Sequence, residues 1–155
     1  MKFSNLQNGG VSHVATIEKF EDIQAWQMAR QSTRMIYEAS SKGTFNRDFA
    51  LRDQIRRSAI SIMSNIAEGF DRDGNKEFLN FLSIAKGSCA ESRAQLYVAL
   101  DGGHISQAEF DRLYTSLDQT GRLIGGFMRY LSSSEVKGKK FRDAETRNAK
   151  PGTRN

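Results

Sequence analysis

The stretch LRDQIRRSAISIMSNIAEG, from Leu51 to Gly69, constrains this chain more than any other. It contains no proline and no internal glycine, and it closes on a glycine. That pattern predicts a helix of about five turns, ended by a glycine in the left-handed conformation. At about 100° per residue, Ile55, Ala59, Ile62 and Ile66 fall on one line. Ile60, Met63, Ala67 and Phe70 fall on a second line, roughly a quarter-turn away. The rest of the surface carries Asp53, Gln54, Arg57, Ser58, Ser61, Ser64, Asn65 and Glu68. One apolar line seats a helix on a core. Two adjacent lines cover about half the circumference, so this helix is central in its bundle or touches another subunit as well. Ile60, Met63, Ala67 and Phe70 are therefore the candidate oligomer interface.

The same period recurs on both sides of that helix. Ile23, Trp26, Arg30, Thr33 and Tyr37 share a side, with Ala29 and Ile36 beside it, which predicts a first helix over about 20–40. Asn46 is a candidate N-cap for the second helix, with Asp48 in its first turn. After Gly69 comes a short polar turn suited to an antiparallel hairpin. Phe78, Phe81, Leu82, Ala85, Cys89, Ser92, Leu96 and Ala99 then form the stripe of a third helix, stopped by Gly102-Gly103. Ser106 and Glu109 have the spacing of a capping box before a fourth apolar repeat through Phe110, Leu113, Leu117, Gly121, Ile124, Met128 and Leu131. Four helices, over about 20–40, 46–69, 76–101 and 106–132, joined by short turns, predict an all-α fold, an up-down-up-down antiparallel four-helix bundle.

The bulk properties allow this. The chain has 155 residues, enough for one domain with a real core. One proline and one cysteine argue against a disulfide scaffold and favour a reducing, cytoplasmic setting. Cys89 lies on an apolar line and reads as a small core residue. No apolar run approaches a membrane span, and the N-terminus lacks the apolar core of a signal peptide. The net charge of +5 is uneven: residues 135–155 carry seven Lys/Arg against three Asp/Glu, a balance of +4, which leaves +1 elsewhere. The expected organisation is a flexible leader over 1–17, the bundle over 18–134, and a basic, disordered tail over 135–155.

Known site chemistries find little to use. His13 and His104 lie in a leader and in a turn, and no His-x-x-x-His, Glu-x-x-His or cysteine pair occurs. The di-iron bundle pattern and the phosphate-binding loop are both missing. The expectation is no catalytic residue, no metal ligand and no cofactor. The basic residues offer more. Arg52 and Arg56 stack four apart on one face, with Arg47 before them, while Arg57 is placed to pair with Asp53. Candidate phosphate contacts are thus Arg47, Arg52 and Arg56, with Lys137, Lys139, Lys140 and Arg142 of the tail. A salt-bridged solvent face is the competing reading of the same row. Asn65 and Glu68 are placed for a polar clasp with Arg72 or Lys76.

Several of these segments also carry a family resemblance. Phe20-Glu21-Asp22 followed by Ala25-Trp26-Gln27-Met28-Ala29-Arg30 resembles the opening of the four-helix bundle proteins named for the intervening sequence of 23S rRNA. Asp53-Gln54-Ile55-Arg56-Arg57-Ser58 and Ser64-Asn65-Ile66-Ala67-Glu68-Gly69 are similar to that family's signature helix. Lys76-Glu77-Phe78, Ala85-Lys86-Gly87-Ser88 and Glu91 are similar to its next helix. The resemblance spans about residues 18 to 131. It departs at Met63, where the family often carries proline, so an uninterrupted helix is implied here. The resemblance implies a ring-like homo-oligomer, often a pentamer. It also implies kinship with the accessory protein of diversity-generating retroelements, which binds a reverse transcriptase and nucleic acid. It brings no catalytic residues. The expected function is a non-enzymatic, homo-oligomeric scaffold whose partner is RNA, DNA or a reverse transcriptase, with no membrane partner. The alternative is a protein-only adaptor, of the defence or toxin-antitoxin accessory type.

Overall fold

Asp48 decides where the central helix begins. In the computed structural model, which describes residues 17–148 and the side chains of residues 17–134, its carboxylate accepts the Leu51 N–H at 3.1 Å and caps the helix Phe49–Asp71. Asn46 is not the cap. It lies inside a separate short helix, Gly43–Arg47, and the Asp48 backbone leaves helical geometry at φ −80°, ψ 80° between the two. Two cap-competent side chains stand two residues apart, and the one that reaches a free N–H of the following turn sets the break. The described residues form five α-helices and no strand: α1 (Gln24–Ser40), α2 (Gly43–Arg47), α3 (Phe49–Asp71), α4 (Asn75–Asp101) and α5 (Gln107–Asn148). A single 3-10 turn, Phe20–Asp22, precedes α1.

The first apolar line of α3 is the centre of the core. Ile55, Ala59, Ile62 and Ile66 are completely buried. They pack with Ala29 and Ile36 of α1, Phe78, Leu82, Cys89 and Leu96 of α4, and Leu117, Ile124 and Leu131 of α5. The buried face of α1 is centred on the Ala29 and Ile36 flank of the expected line, with Thr33 shared. It runs through Ala25, Ala29, Ser32, Thr33 and Ile36, while Arg30 and Tyr37 face solvent and Trp26 is half-buried. Small side chains let α1 lie close to its neighbours, and its buried hydroxyls find partners there. Ser32 Oγ is 2.7 Å from Ser116 Oγ and 3.1 Å from Thr120 Oγ1, and Thr33 donates to the Ala59 carbonyl at 3.1 Å. Buried polar groups satisfied in this way cost little.

Gly69 does not end α3 as a left-handed cap. It is buried inside the helix, and a Cβ on it would stand 2.6 Å from Phe81 Cβ and 2.8 Å from Phe78 Cδ2. Glycine is needed here because α4 returns against it. The left-handed residue of the turn is Gly74, at φ 101°, immediately before α4. From there α4 runs back along α3: Gly69 meets Phe81, Ser61 Oγ is 2.9 Å from Ser88 Oγ, and Ser58 Oγ is 2.7 Å from Ser92 Oγ. The turn before α5 follows the sequence closely. Ser106 and Glu109 exchange backbone-to-side-chain hydrogen bonds at 3.1 and 3.2 Å as a capping box. The backbone of α5 then continues through Ser132-Ser133-Ser134 to Asn148, beyond the expected end of the fourth helix. The three hydroxyls donate to carbonyls of Met128, Tyr130 and Leu131, so serines that could break a helix are absorbed by it. The candidate tail contacts Lys137, Lys139, Lys140 and Arg142 lie outside the described side chains.

Candidate interaction surface

The outward side of α1 and α3 collects arginine and aromatic side chains. Arg56 reaches from α3 to α1, where its Nε donates to Ser40 Oγ at 2.8 Å and its Nη2 to Ser41 Oγ at 2.9 Å. Its guanidinium lies 4.7 Å from the centre of the Tyr37 ring. Arg52 lies 4.8 Å from the centre of the Phe49 ring, and its Nη1 donates to the Asn46 carbonyl at 3.1 Å. Arg30 lies 5.9 Å from the centre of the Trp26 ring. Stacked guanidinium groups of this kind are held in place and keep a charged edge towards solvent. Arg47 ends α2 next to Asn46 and is exposed. The structure therefore groups Arg47 and Arg52 at the α2–α3 corner, with Arg56 one turn further along α3.

Asp53 pairs with Arg52, Nε to Oδ1 at 2.9 Å, rather than with Arg57. Of the second apolar line, Ile60 is 43% exposed, which is large for a β-branched side chain one turn from Arg56. Met63, Ala67 and Phe70 are half-buried, and Phe70 sits edge-on to Phe78 with ring centres 6.1 Å apart. The Glu68–Arg72 pair forms at 2.7 Å and holds the Arg72 guanidinium above its ordinary value.

His104 belongs to none of the expected sites, yet it joins two separate turns of the fold. Its Nε2 is 3.1 Å from Asp48 Oδ2 and its Nδ1 is 2.9 Å from Thr44 Oγ1, while its ring stacks on Phe45 at 5.5 Å. The Leu51 N–H first, and the His104 hydrogen bond second, hold the Asp48 carboxyl below its ordinary value. This cluster fastens the turn before α5 to the α2–α3 corner. Cys89 is buried, and burial pushes its thiol up to about 12, which disfavours the thiolate and suits a packing residue. Among the described residues no group of His, Cys, Asp and Glu is placed to hold a metal ion. No helix among them is long and apolar enough to cross a membrane.

Sequence reasoning missed the aromatic partners of the arginines, although Trp26 and Arg30 stand at a helical i, i+4 spacing. It also missed Ile84, Tyr97 and Val98 of α4, which are exposed. A third omission is the set of cations between α4 and α5.

An all-helical protein with a serine-lined core and an arginine-rich outer face is the class defined so far. Residues 21–126 match the family described as 23S rRNA-intervening sequence protein, and the chain belongs to that family. It is similar in fold to a crystal structure from Bacteroides thetaiotaomicron, described as a protein with unknown function from the S23 ribosomal protein family. That likeness has a TM-score of 0.62 at 20% sequence identity and covers 67% of this chain and 97% of the other. No curated protein matches the chain.

Proposed function

We propose that this chain is a non-enzymatic, homo-oligomeric scaffold of the cytoplasm that docks nucleic acid or a nucleic-acid enzyme such as a reverse transcriptase. Its four long helices form an up-down-up-down antiparallel bundle. The reversed order of contacts between neighbouring helices supports this: Thr33 with Ala59 then Ser40 with Arg56, Ser58 with Ser92 then Ser61 with Ser88, and Cys89 with Gly121 then Arg93 with Asp118. Copies of the bundle assemble as a ring, with a pentamer as the expected size. The observation that carries the reading is the outer side of α1 and α3, which holds an exposed Ile60 one turn from Arg56, and three arginines, Arg30, Arg52 and Arg56, against aromatic rings. Arg, Trp and Tyr are the side chains that dominate binding energy where protein surfaces meet. Arg30 and Arg47 are exposed, and Arg52 and Arg56 half-buried, and guanidinium groups suit phosphate oxygens.

Static light scattering tests the assembly. The native chain is expected at several times its monomer mass, and Ile60→Lys shifts it towards monomer with helicity retained. A native chain that stays monomeric at high concentration contradicts the reading. One observation favours a protein-only adaptor as the second reading: Arg52 and Arg56 already spend two hydrogen bonds each within the chain, which leaves fewer donors for phosphate.

A further inference from the structure

We propose that the cleft between α4 and α5 is a phosphate-binding site. Two packed helices normally fill the space between them with side chains. Here α5 presents Gly121 and Gly125, one turn apart, and a cavity of about 230 Å³ remains. Cys89 is on the opposite wall, 3.7 Å from where a Gly121 Cβ would be. A Cβ on Gly125 would stand 3.6 Å from both Lys86 Nζ and Arg129 Nη1. Two cations from different helices therefore converge over one bare stretch of backbone. Like charges brought together repel, and neither has a carboxylate partner among the described residues.

The far wall of the cleft is also basic. Arg93 Nη1 donates to Asp118 Oδ1 at 2.7 Å, and Arg122 Nε donates to Asp118 Oδ2 at 2.7 Å. The lining of the cleft thus holds one carboxylate, Asp118, and four cations, Lys86, Arg93, Arg122 and Arg129, a balance of +3. Arg93 rests on the Tyr114 ring at 5.5 Å, and its Nε is buried without a partner. Its position is fixed before any ligand arrives. A small, multiply charged oxyanion that accepts hydrogen bonds from several directions answers this arrangement, and a phosphate group is that species. A free phosphate and a phosphate of a polynucleotide backbone share the chemistry. The site deepens the nucleic-acid reading above, but it uses neither the α1–α3 face nor residues 135–155.

The full-length chain is titrated with two probes at constant ionic strength, inorganic phosphate and a short RNA of uniform sequence. Thermal shift and calorimetry are the readouts. Three proteins are compared: wild type, Lys86→Gln/Arg129→Gln, and a control, Arg34→Gln/Arg112→Gln, which removes the same charge from exposed positions elsewhere. Saturable binding of inorganic phosphate, lost in the cleft pair and kept in the control, supports the site with a free phosphate as its ligand. Binding of RNA alone, weakened about tenfold in the cleft pair and unchanged in the control, supports the site with the backbone as its source. Equal weakening in both pairs overturns the proposal, since net charge alone then explains it. Unchanged binding in the cleft pair, or no binding of either probe to the wild type, also overturns it. RNA binding that survives intact in the cleft pair, with no saturable binding of inorganic phosphate to the wild type, leaves the scaffold reading standing while this one fails.

Discussion

Gly69 and Gly87 are both interior helical glycines, and the structure predicts opposite signs for alanine at the two. A Cβ at Gly69 would lie 2.6 Å from Phe81 Cβ and 2.8 Å from Phe78 Cδ2. A Cβ is fixed to the backbone and cannot rotate away, so α3 and α4 must separate at this point. Overpacking of this kind costs about 1–3 kcal/mol. Alanine recovers about 1 kcal/mol of helix propensity over glycine, so Gly69→Ala is expected to lose up to about 2 kcal/mol net. At Gly87 nothing lies within 4 Å of the added Cβ. The propensity term stands alone there, and Gly87→Ala is expected to gain up to about 1 kcal/mol. Urea denaturation followed by circular dichroism measures both. A Gly69→Ala protein that gains about 1 kcal/mol, the full propensity term, refutes the close approach of α3 and α4. A Gly87→Ala protein that loses stability refutes the open outer face of α4.

Other substitutions test other parts of the fold. Ile62 is completely buried on the first apolar line of α3, so Ile62→Asp buries a carboxylate without a partner and is expected to prevent stable folding; an unchanged melting curve contradicts the facing of the helix. The Asp48 carboxyl is held below its ordinary value, so its contribution is present above the unfolded carboxylate range and is lost as pH falls through the depressed folded value. Asp48→Asn is therefore expected to melt below wild type at neutral pH, with the gap closing in strong acid. A gap that stays constant with pH contradicts the Asp48 carboxylate, held by the Leu51 N–H and then by His104, as its source.

How far the sequence discloses this fold depends on whether the deciding interaction is local. The buried line Ile55, Ala59, Ile62 and Ile66 follows from helical spacing alone. So do the Ser106–Glu109 box and the Glu68–Arg72 pair, which sit within one turn. The break at Asp48 is a competition between two caps, Asn46 and Asp48, that differ little in propensity. Gly69 reads locally as a stop, and only the return of α4 turns it into a contact point. On α1, Arg30 and Trp26 share the period of a core stripe, but small residues on the adjacent line won the interior.

The site residues divide in the same way. Arg52 and Arg56 are visible as a stacked row, yet their partners Phe49, Tyr37, Ser40 and Ser41 set how free they are. Lys86 and Arg129 stand far apart in sequence, and no spacing rule joins them. Only the packing of α4 on α5 brings them over Gly125.

Filter binding of RNA across a salt series tests the scaffold reading most directly. The full-length chain is compared with a chain lacking residues 135–155 and with Arg52→Gln/Arg56→Gln. The account predicts affinity that falls steeply with salt, with each lost phosphate contact flattening the slope by roughly 0.7–0.9. The tail deletion removes Lys137, Lys139, Lys140, Arg142, Arg147, Lys150 and Arg154 and flattens the slope while the oligomer persists. The double-arginine variant weakens binding to unrelated sequences alike. Salt-independent binding, or no binding at low salt, contradicts the account and moves the protein to the adaptor reading.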